Sequence, residues 1–325
     1  MRLAFFGTPD FAVPSLMALA QEGHELALVV TQPDRPAGRG WRSAASPVKE
    51  AAQALGLPLC QPESVATAEF LAQLRRIEPE ACIVVAFGQK ITPELLSVPP
   101  RGWVNVHASL LPRWRGAAPV ARAIMAGDTV TGVTTIYLDS GWDTGDMILR
   151  RQVPIDPEEN AGELQSRLAV VGAEVLVETM ALVARGAAPR VAQDEAEATL
   201  APRLRPEEAE LDWKRPAREL HNRIRGLAPS PGAYTLWRGR RLKIWRSRLV
   251  GPDEGRLKPG EAGGGAPGTL SVGRNAAVYV ATGEGLLELR EVQAEGGRVL
   301  TAEEFARGQR LKPGERLGPE ERFEG

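Results

Sequence analysis

An asparagine and a histidine stand two positions apart in NVHASLLPRWRG, residues 105–116. Residues two apart along a β-strand point to the same face, so Asn105 and His107 would share one space. A lone histidine is often only a structural hydrogen-bonding residue. Here the apolar segment before it predicts a buried strand, and ligands of open α/β sheets bind beyond the carboxyl ends of such strands. The pair is therefore a candidate for chemistry.

The acidic partner for this pair comes from DSGWDTGD, residues 139–146, which holds three aspartates in eight residues. Aspartate in a Gly-rich turn is commonly just turn chemistry, but three exceed what a turn needs. An Asn that donates hydrogen bonds, a His that acts as an acid and an Asp that stabilises the charged His suit acyl transfer. The sequence offers no Ser or Cys in a hydrolase elbow, which favours direct transfer between two bound substrates.

The elements that position these residues alternate between strand and helix over the first half of the chain. This alternation predicts an α/β, Rossmann-like domain with a parallel sheet. The predicted strands are 2–6, 24–32, 80–88 and 103–109, and the predicted helices include 12–21, 46–57 and 161–186. Residues 130–139 and 146–155 predict two further strands that form a hairpin-like insertion.

Several classes of protein are disfavoured by the composition. The chain is 43% hydrophobic and 25% charged with a net charge of −1, typical of a globular protein without a general affinity for polyanions. The turn FFGTPDF lacks the glycines of a dinucleotide-binding fingerprint, so a nicotinamide cofactor is unsupported. We expect Cys60 and Cys82 to be free thiols, and no segment predicts a membrane span or a signal peptide. A cytoplasmic protein is the expectation.

The second half of the chain has a different pattern. Residues 187–205 show little apolar periodicity and contain proline and acidic clusters, which predicts a linker. Beyond them a helix at 216–227 precedes several short strands separated by Gly-rich turns, which indicates a small β-barrel. The predicted organisation is a catalytic domain at 1–186, a linker at 187–205, a barrel domain at 206–311 and a tail at 312–325.

Basic residues mark two candidate surfaces for RNA. Residues 206–250 carry eleven basic side chains against five acidic ones, and Arg240, Arg241 and Lys243 fall on a predicted strand there. Charge on a strand is usually a solvated face, but this local excess favours phosphate contact. The second surface is the long connection 31–43, TQPDRPAGRGWRS, where Arg39 and Arg42 flank an aromatic residue able to stack on a base.

These motifs together resemble the 10-formyltetrahydrofolate-dependent formyltransferases. The resemblance rests on N105-V-H-A-S-L-L-P-R-W-R-G and D139-S-G-W-D-T-G-D. Further stretches, FFGTPDFAVPSL, TQPDRPAGRG, SPVK and RLRPEEAELDW, are similar to the branch that acts on methionyl-tRNA. The similarity covers nearly the whole chain and weakens after about residue 250.

The resemblance implies a fold, a reaction and a set of site residues. The implied fold is a Rossmann-like N-terminal domain with a smaller OB-like barrel, and the implied catalytic residues are Asn105, His107 and Asp143. It also implies a folate segment, an arginine that reads the acceptor arm, and two substrates, 10-formyltetrahydrofolate and initiator methionyl-tRNA, with no metal. The folate segment comprises Ser109, Leu110, Leu111 and Pro112, and the acceptor-arm position is Arg39.

Several alternatives remain open at this point. Leu110 and Leu111 could be ordinary core leucines. The catalytic set is equally suited to a related formyltransferase that acts on a nucleotide sugar or a ribonucleotide amine. A folate- or RNA-binding protein with an inactive site is a further alternative, which the intact catalytic set disfavours. We expect a monomer.

Overall fold

The computed structural model describes residues 1–37, 42–251, 265–273 and 276–319, with side chains for all of these except residues 36, 37, 42 and 43. The chain forms two compact units. The first comprises Met1–Pro119, Val130–Pro154 and Leu164–Pro202, and the second comprises Val120–Thr129, Ile155–Glu163 and Arg203–Gly325.

The regular elements follow the chain in this order. The strands are β1 (Arg2–Gly7), β2 (Glu25–Val30), β3 (Arg35–Ala37), β4 (Arg42–Ala44), β5 (Leu59–Cys60), β6 (Ala81–Val85), β7 (Trp103–His107), β8 (Val130–Tyr137), β9 (Met147–Pro154), β10 (Ala233–Trp237), β11 (Arg240–Leu249), β12 (Leu270–Val272), β13 (Val278–Ala281), β14 (Leu286–Ala294) and β15 (Leu300–Thr301). The α-helices are α1 (Val13–Gln21), α2 (Pro47–Ala54), α3 (Ala68–Ile77), α4 (Pro93–Leu96), α5 (Pro119–Ala126), α6 (Ala161–Ala184), α7 (Ala217–Leu227) and α8 (Ala302–Gly308).

The first unit is built on a seven-stranded sheet in the order β5-β2-β1-β6-β7-β8-β9. The first five strands in this order, β5, β2, β1, β6 and β7, are parallel to one another. Strand β8 is antiparallel to both of its neighbours, β7 and β9. The predicted parallel α/β sheet and the predicted hairpin-like pair are both confirmed. Strand β7 consequently lies at the point where the sheet changes from parallel to antiparallel pairing.

Aromatic packing fixes the middle of this sheet. The Phe6 ring on β1 meets the Phe87 ring edge-on at 5.5 Å and the Trp103 ring at 4.8 Å. Trp103 is the first residue of β7, is 1% exposed, and donates its indole N–H to the carbonyl of Leu95 at 2.9 Å. Each such buried ring contributes about 1.5–3 kcal/mol through removal from water. The strand that carries Asn105 and His107 is thereby fixed at its beginning.

Helix α2 begins as the sequence predicts. The Ser46 hydroxyl accepts a hydrogen bond from the backbone N–H of Lys49 at 3.1 Å, and Pro47 occupies the first helical position. The same hydroxyl lies 2.7 Å from that of Thr31, directly after β2. The cap therefore also fixes the beginning of α2 beside the carboxyl end of β2.

The second unit contains an antiparallel sheet in the order β10-β11-β14-β13-β12, with β15 paired to β14. Its core includes the Trp237 and Phe305 rings, whose centroids are 5.0 Å apart. A smaller antiparallel β-domain after the α/β domain is confirmed. Cys60 and Cys82 are free, as expected, and burial raises the pKa of the Cys82 thiol.

Candidate active site

Three predicted catalytic residues lie together at the carboxyl end of β7. The amide nitrogen of Asn105, Nδ2, donates to Oδ1 of Asp143 at 3.5 Å, and Nδ1 of His107 lies 3.6 Å from the same oxygen. Asn105 is 8% exposed and His107 6%, whereas the Asp143 side chain keeps 16% of its surface exposed. The two-residue spacing of Asn105 and His107 therefore places both side chains on one face of the strand, as predicted. The turn that carries Asp143 brings the acid in front of both.

Asp143 belongs to the turn that joins β8 to β9. Within this turn the Asp139 carboxylate accepts a hydrogen bond from the Thr144 hydroxyl at 2.8 Å. Gly145 is required because a Cβ there would overlap the carbonyl oxygen of Tyr137. Asp143 itself adopts a left-handed backbone conformation with φ of 56°. Non-glycine residues rarely adopt this conformation, so the contacts around the turn must hold it.

The ring orientation of His107 follows from its second nitrogen. Nε2 lies 2.9 Å from the carbonyl oxygen of Trp114, a residue that also has a left-handed backbone, with φ of 63°. A carbonyl can only accept a hydrogen bond, so Nε2 carries a proton and donates it. The other ring nitrogen, Nδ1, faces Asp143.

Two contacts hold Asp143 from outside the trio, and the sequence did not predict either. The Gly116 N–H donates to the second carboxylate oxygen of Asp143 at 2.9 Å. The amide of Gln193 donates to the Asp143 backbone carbonyl at 2.8 Å and accepts from Nε of Arg115 at 2.9 Å. Glu195 pairs with the other end of this guanidinium, and these hydrogen bonds raise the pKa of Arg115.

The segment proposed to contact folate is tightly packed at its first residue. Ser109 is fully buried and donates its hydroxyl to the carbonyl of Arg113 at 2.6 Å. The Thr134 hydroxyl donates to the Ser109 carbonyl at 2.7 Å and accepts from the Leu111 N–H at 3.1 Å. The backbone of this turn is therefore fixed to β8.

The side chains of the same segment differ in exposure. Leu111 is fully buried in an apolar cluster with Ile136 and Met147, and Pro112 is buried as well. Leu110 is half-buried. The burial of Leu111 agrees with the alternative that it is an ordinary core leucine. Leu110 keeps exposed surface that a ligand could contact.

Hydrogen bonds to Asp34 fix the first residues of the connection that follows β2. Lys49 donates to one oxygen of Asp34 at 2.5 Å, and the Gln61 amide donates to the other at 2.7 Å. These hydrogen bonds, that of Gln61 first, lower the pKa of Asp34. Arg39 lies outside the described residues. Arg42 lies in β4, which pairs antiparallel with β3, and its side chain lies outside the described ones.

The predicted RNA-binding residues of the second unit lie at the beginning of β11. The Arg241 guanidinium stacks 4.4 Å from the Tyr234 ring centroid, and Nζ of Lys243 lies 4.9 Å from that of Trp245. Arg240 is exposed. This hairpin therefore presents cationic groups next to aromatic rings, a combination that suits phosphates and unpaired bases.

Two features are absent from the described part of the chain. No group of three or more His, Cys, Asp or Glu side chains there could hold a metal ion. No helix among those residues is long and apolar enough to span a bilayer.

Comparison with known proteins places this geometry in a family context. Residues 1–180 match the family described as "Formyl transferase", and residues 203–310 match "Formyl transferase, C-terminal domain". The methionyl-tRNA formyltransferase of Moorella thermoacetica is 51% identical over 318 residues, covering 98% of this chain and 99% of that protein.

Two solved structures share the fold at lower sequence identity. An N-formyltransferase from Helicobacter canadensis, in complex with folinic acid and dTDP-3-aminofucose, has a TM-score of 0.65 at 17% identity, covering 89% of this chain and 98% of that one. HypX from Aquifex aeolicus with tetrahydrofolic acid has a TM-score of 0.63 at 17% identity; the match covers 96% of this chain but only 48% of HypX.

Proposed function

The chain belongs to the methionyl-tRNA formyltransferases of the formyl transferase family, and we propose that Asn105, His107 and Asp143 form its catalytic centre. The protein is an enzyme that transfers a formyl group to the free amino group of methionine on initiator methionyl-tRNA, giving N-formylmethionyl-tRNA for translation initiation. Its co-substrate is a folate. We infer that this folate is 10-formyltetrahydrofolate, since the amine needs a formyl group on a good leaving nitrogen.

One observation carries the assignment of the trio. Oδ1 of Asp143 lies within 3.6 Å of both Nδ2 of Asn105 and Nδ1 of His107. Two hydrogen-bond donors thus converge beside one carboxylate, at the edge of the sheet where α/β enzymes bind their ligands. This arrangement suits a reaction in which negative charge develops on one oxygen while an amine loses a proton.

The proposed reaction is a direct transfer. The methionine amine attacks the formyl carbon, the new C–N bond forms, and negative charge builds on the formyl oxygen. The bond from the formyl carbon to the folate nitrogen then breaks, and the proton lost by the amine balances the one gained by that nitrogen. The leaving nitrogen is of the aniline type and needs little assistance.

Each member of the trio has a distinct part in this step. The Asn105 amide and a proton on Nδ1 of His107 donate to the developing oxyanion; losing one such donor typically lowers the rate by about 10²–10³. Asp143 stabilises the protonated imidazole by its negative charge. It also accepts the amine proton through a water molecule.

We propose that two further parts of the chain bind the substrates. Ser109, Leu110, Leu111 and Pro112 form the turn next to the trio, and we propose that this turn lines the folate site, with Leu110 in contact with the ring and the three buried residues supporting it. For the tRNA we propose phosphate and base contacts from basic residues of both units: Arg39, Arg42, Arg240, Arg241 and Lys243. We further propose a catalytic domain at 1–186, a linker at 187–205, a tRNA-binding domain at 206–311 and a tail at 312–325, in a cytoplasmic monomer without a metal.

A direct assay tests the catalytic centre. The full chain is mixed with 10-formyltetrahydrofolate and methionine-charged initiator tRNA, and formyl-methionine is quantified for the unmodified protein and for Asp143→Asn. The unmodified protein should formylate the tRNA, and the variant should bind folate but turn over far more slowly. A variant with normal turnover would remove the trio from the mechanism. A nucleotide-linked amino sugar, offered as the acceptor in parallel, should not be formylated.

A further inference from the structure

We propose that Gln193 is a positioning residue for the reaction, because its side-chain amide fixes the backbone of Asp143; the inference rests on the proposed role of Asp143. The two N–H groups of the amide have two acceptors, the carbonyl oxygens of Asp143 and Gly145, each at 2.8 Å. These carbonyls lie on either side of Thr144. Gln193 therefore holds the turn at the residue that carries the carboxylate.

The orientation of the amide is determined by its third contact. Oε1 of Gln193 accepts from Nε of Arg115 at 2.9 Å, and a guanidinium can only donate. The oxygen must face Arg115, so the NH₂ group must face the turn. All three hydrogen bonds are neutral or charge-assisted bonds of ordinary length.

Arg115 is itself well fixed. Its side chain is 7% exposed, and its two terminal nitrogens donate to the two oxygens of Glu195 at 2.9 and 2.7 Å. Its backbone N–H donates to the Thr199 carbonyl at 2.8 Å, and its carbonyl accepts from the Ala201 N–H at 2.7 Å. Backbone pairing and a bidentate ion pair thus hold Arg115 against the segment that carries Gln193.

The two residues that hold Asp143, Gly116 and Gln193, are connected through Arg115. Gly116, the residue after Arg115, donates its N–H to the Asp143 carboxylate at 2.9 Å, while Gln193 holds the Asp143 carbonyl. One therefore fixes the carboxylate and the other the backbone. The left-handed φ of Asp143, 56°, is a conformation that needs such support.

The segment that supplies Gln193 is ordered by pairing with the sheet. Val191 exchanges two backbone hydrogen bonds with Met147, the first residue of β9, at 2.8 and 3.0 Å. Met147 directly follows the turn that carries Asp143. Residues 190–202, which composition predicts as part of a linker, thus contribute to the support of the proposed catalytic acid.

The test compares two substitutions of Gln193. Gln193→Ala removes both donors to the turn, and Gln193→Glu keeps the size and the acceptor for Arg115 while replacing the amide donors by oxygen. Because Gln193 is half-buried, the alanine variant should fold, and thermal unfolding checks this. Both variants should lower kcat about tenfold or more, with the KM values for folate and tRNA within about twofold of the unmodified protein.

A double-mutant comparison separates positioning from general stability. In the Asp143→Asn background, Gln193→Ala should change kcat by less than about twofold, because a residue that acts through Asp143 has nothing left to position. An additive loss in the double variant would overturn the proposal. So would full kcat in Gln193→Glu.

A matched pair of glutamates tests the outer contact. Glu195→Ala should lower kcat more than Glu197→Ala, since both residues belong to the 3-10 helix Glu195–Glu197 and only the Glu195 carboxylate is bonded to Arg115 among the described contacts. Normal activity in Asp143→Asn would contradict the proposed catalytic centre itself. Loss of activity there with normal kcat in both Gln193 variants would contradict the positioning role alone.

Discussion

The carbonyl oxygen of Trp114 lies 2.9 Å from Nε2 of His107 and fixes which ring nitrogen carries the permanent proton. Nδ1, the other ring nitrogen, lies 3.6 Å from Oδ1 of Asp143. The distance exceeds that of a hydrogen bond, so the carboxylate acts on the ring by charge and leaves Nδ1 able to donate to a substrate oxygen. The reactive nitrogen is therefore assigned by backbone geometry.

Substitution of either charged member of the trio should abolish most of the turnover. We expect His107→Asn and Asp143→Asn each to lower kcat by about 10²-fold or more, with folate affinity within about twofold, because the lost interactions act in the transition state. Steady-state formylation and folate binding by fluorescence titration measure the two quantities. If the Kd for folate rose by the same factor as kcat fell, these residues would act by binding folate and not by stabilising the transition state.

Substitutions of Leu110 and Leu111 should distinguish a packing role from contact with the folate. Leu111→Ala should lower the free energy of unfolding by about 2–5 kcal/mol, since Leu111 is fully buried with Ile136 and Met147. Leu110→Ala should be less destabilising and should weaken folate binding more than tRNA binding. Chemical denaturation and folate titration of both variants provide the measurements. Equal loss of folate and tRNA affinity in a folded Leu110→Ala protein would assign both leucines to the core.

The strand–helix alternation of the first unit and the Asn105–His107 pair were predictable because both follow from short-range periodicity, whereas the order of the strands in the sheet was not predicted. Apolar runs separated by helical segments indicate parallel strands, and the two-residue spacing of Asn105 and His107 places them on one face whatever the details of the fold. The Asp-rich turn was predictable from composition alone. Each of these signals lies within about ten residues of sequence.

The support for Asp143 could not be predicted, since it depends on contacts between distant segments. Gln193 lies fifty residues after Asp143 in a stretch without apolar periodicity, and Arg115 appears in the sequence as one more basic residue of a polar turn. The stretch is held by hydrogen bonds and ion pairs, which leave no hydrophobic pattern. Strands β3, β4 and β15 were likewise not predicted, because they have only two or three residues each, and helix α5 was missed although its buried residues follow helical spacing.

Stability of the second unit should depend on pH through His221. Its Nε2 donates to the Pro157 carbonyl at 3.1 Å and its Nδ1 lies 3.0 Å from the Ser247 hydroxyl, an arrangement that satisfies the neutral ring. Burial lowers the pKa of His221 to about 4. The unfolded chain, with a pKa of about 6.5, therefore binds this proton more tightly, and stability is lost as pH falls from about 6.5 towards 4.

The expected contribution of His221 is at most about 3 kcal/mol across that interval. Urea denaturation at pH 7 and pH 5 measures it. His221→Gln should reduce the difference between the two conditions, because glutamine keeps hydrogen-bonding capacity and does not titrate. His24→Gln is the control, since His24 is half-buried and should contribute less. An unchanged pH dependence in His221→Gln would place the titration elsewhere.

The hairpin of β10 and β11 should bind tRNA mainly through phosphates. Arg240→Ala and Arg241→Ala should each weaken binding of the full chain at low salt and reduce the slope of log K against log salt concentration by about 1. Arg76→Ala is the matched control, because this exposed arginine lies in the last turn of α3, which leads to the amino edge of the first sheet. Slopes identical to that of the unmodified protein in both hairpin variants would rule these arginines out as phosphate contacts.

Arg39 should determine how well the enzyme uses charged initiator tRNA. The connection that carries it leaves the carboxyl end of β2, at the edge where the strand ends of the first sheet gather, and its base is held by the Asp34–Lys49 pair and by Gln61. Arg39 itself lies outside the described residues. We expect Arg39→Ala to lower kcat/KM for charged initiator tRNA at least tenfold, about 1.4 kcal/mol of transition-state stabilisation, while folate affinity barely changes. Initial rates at limiting tRNA measure the effect, with Arg76→Ala again as the control. Equal kcat/KM in Arg39→Ala and the unmodified enzyme would make this connection a spacer and leave tRNA recognition to the β10–β11 hairpin.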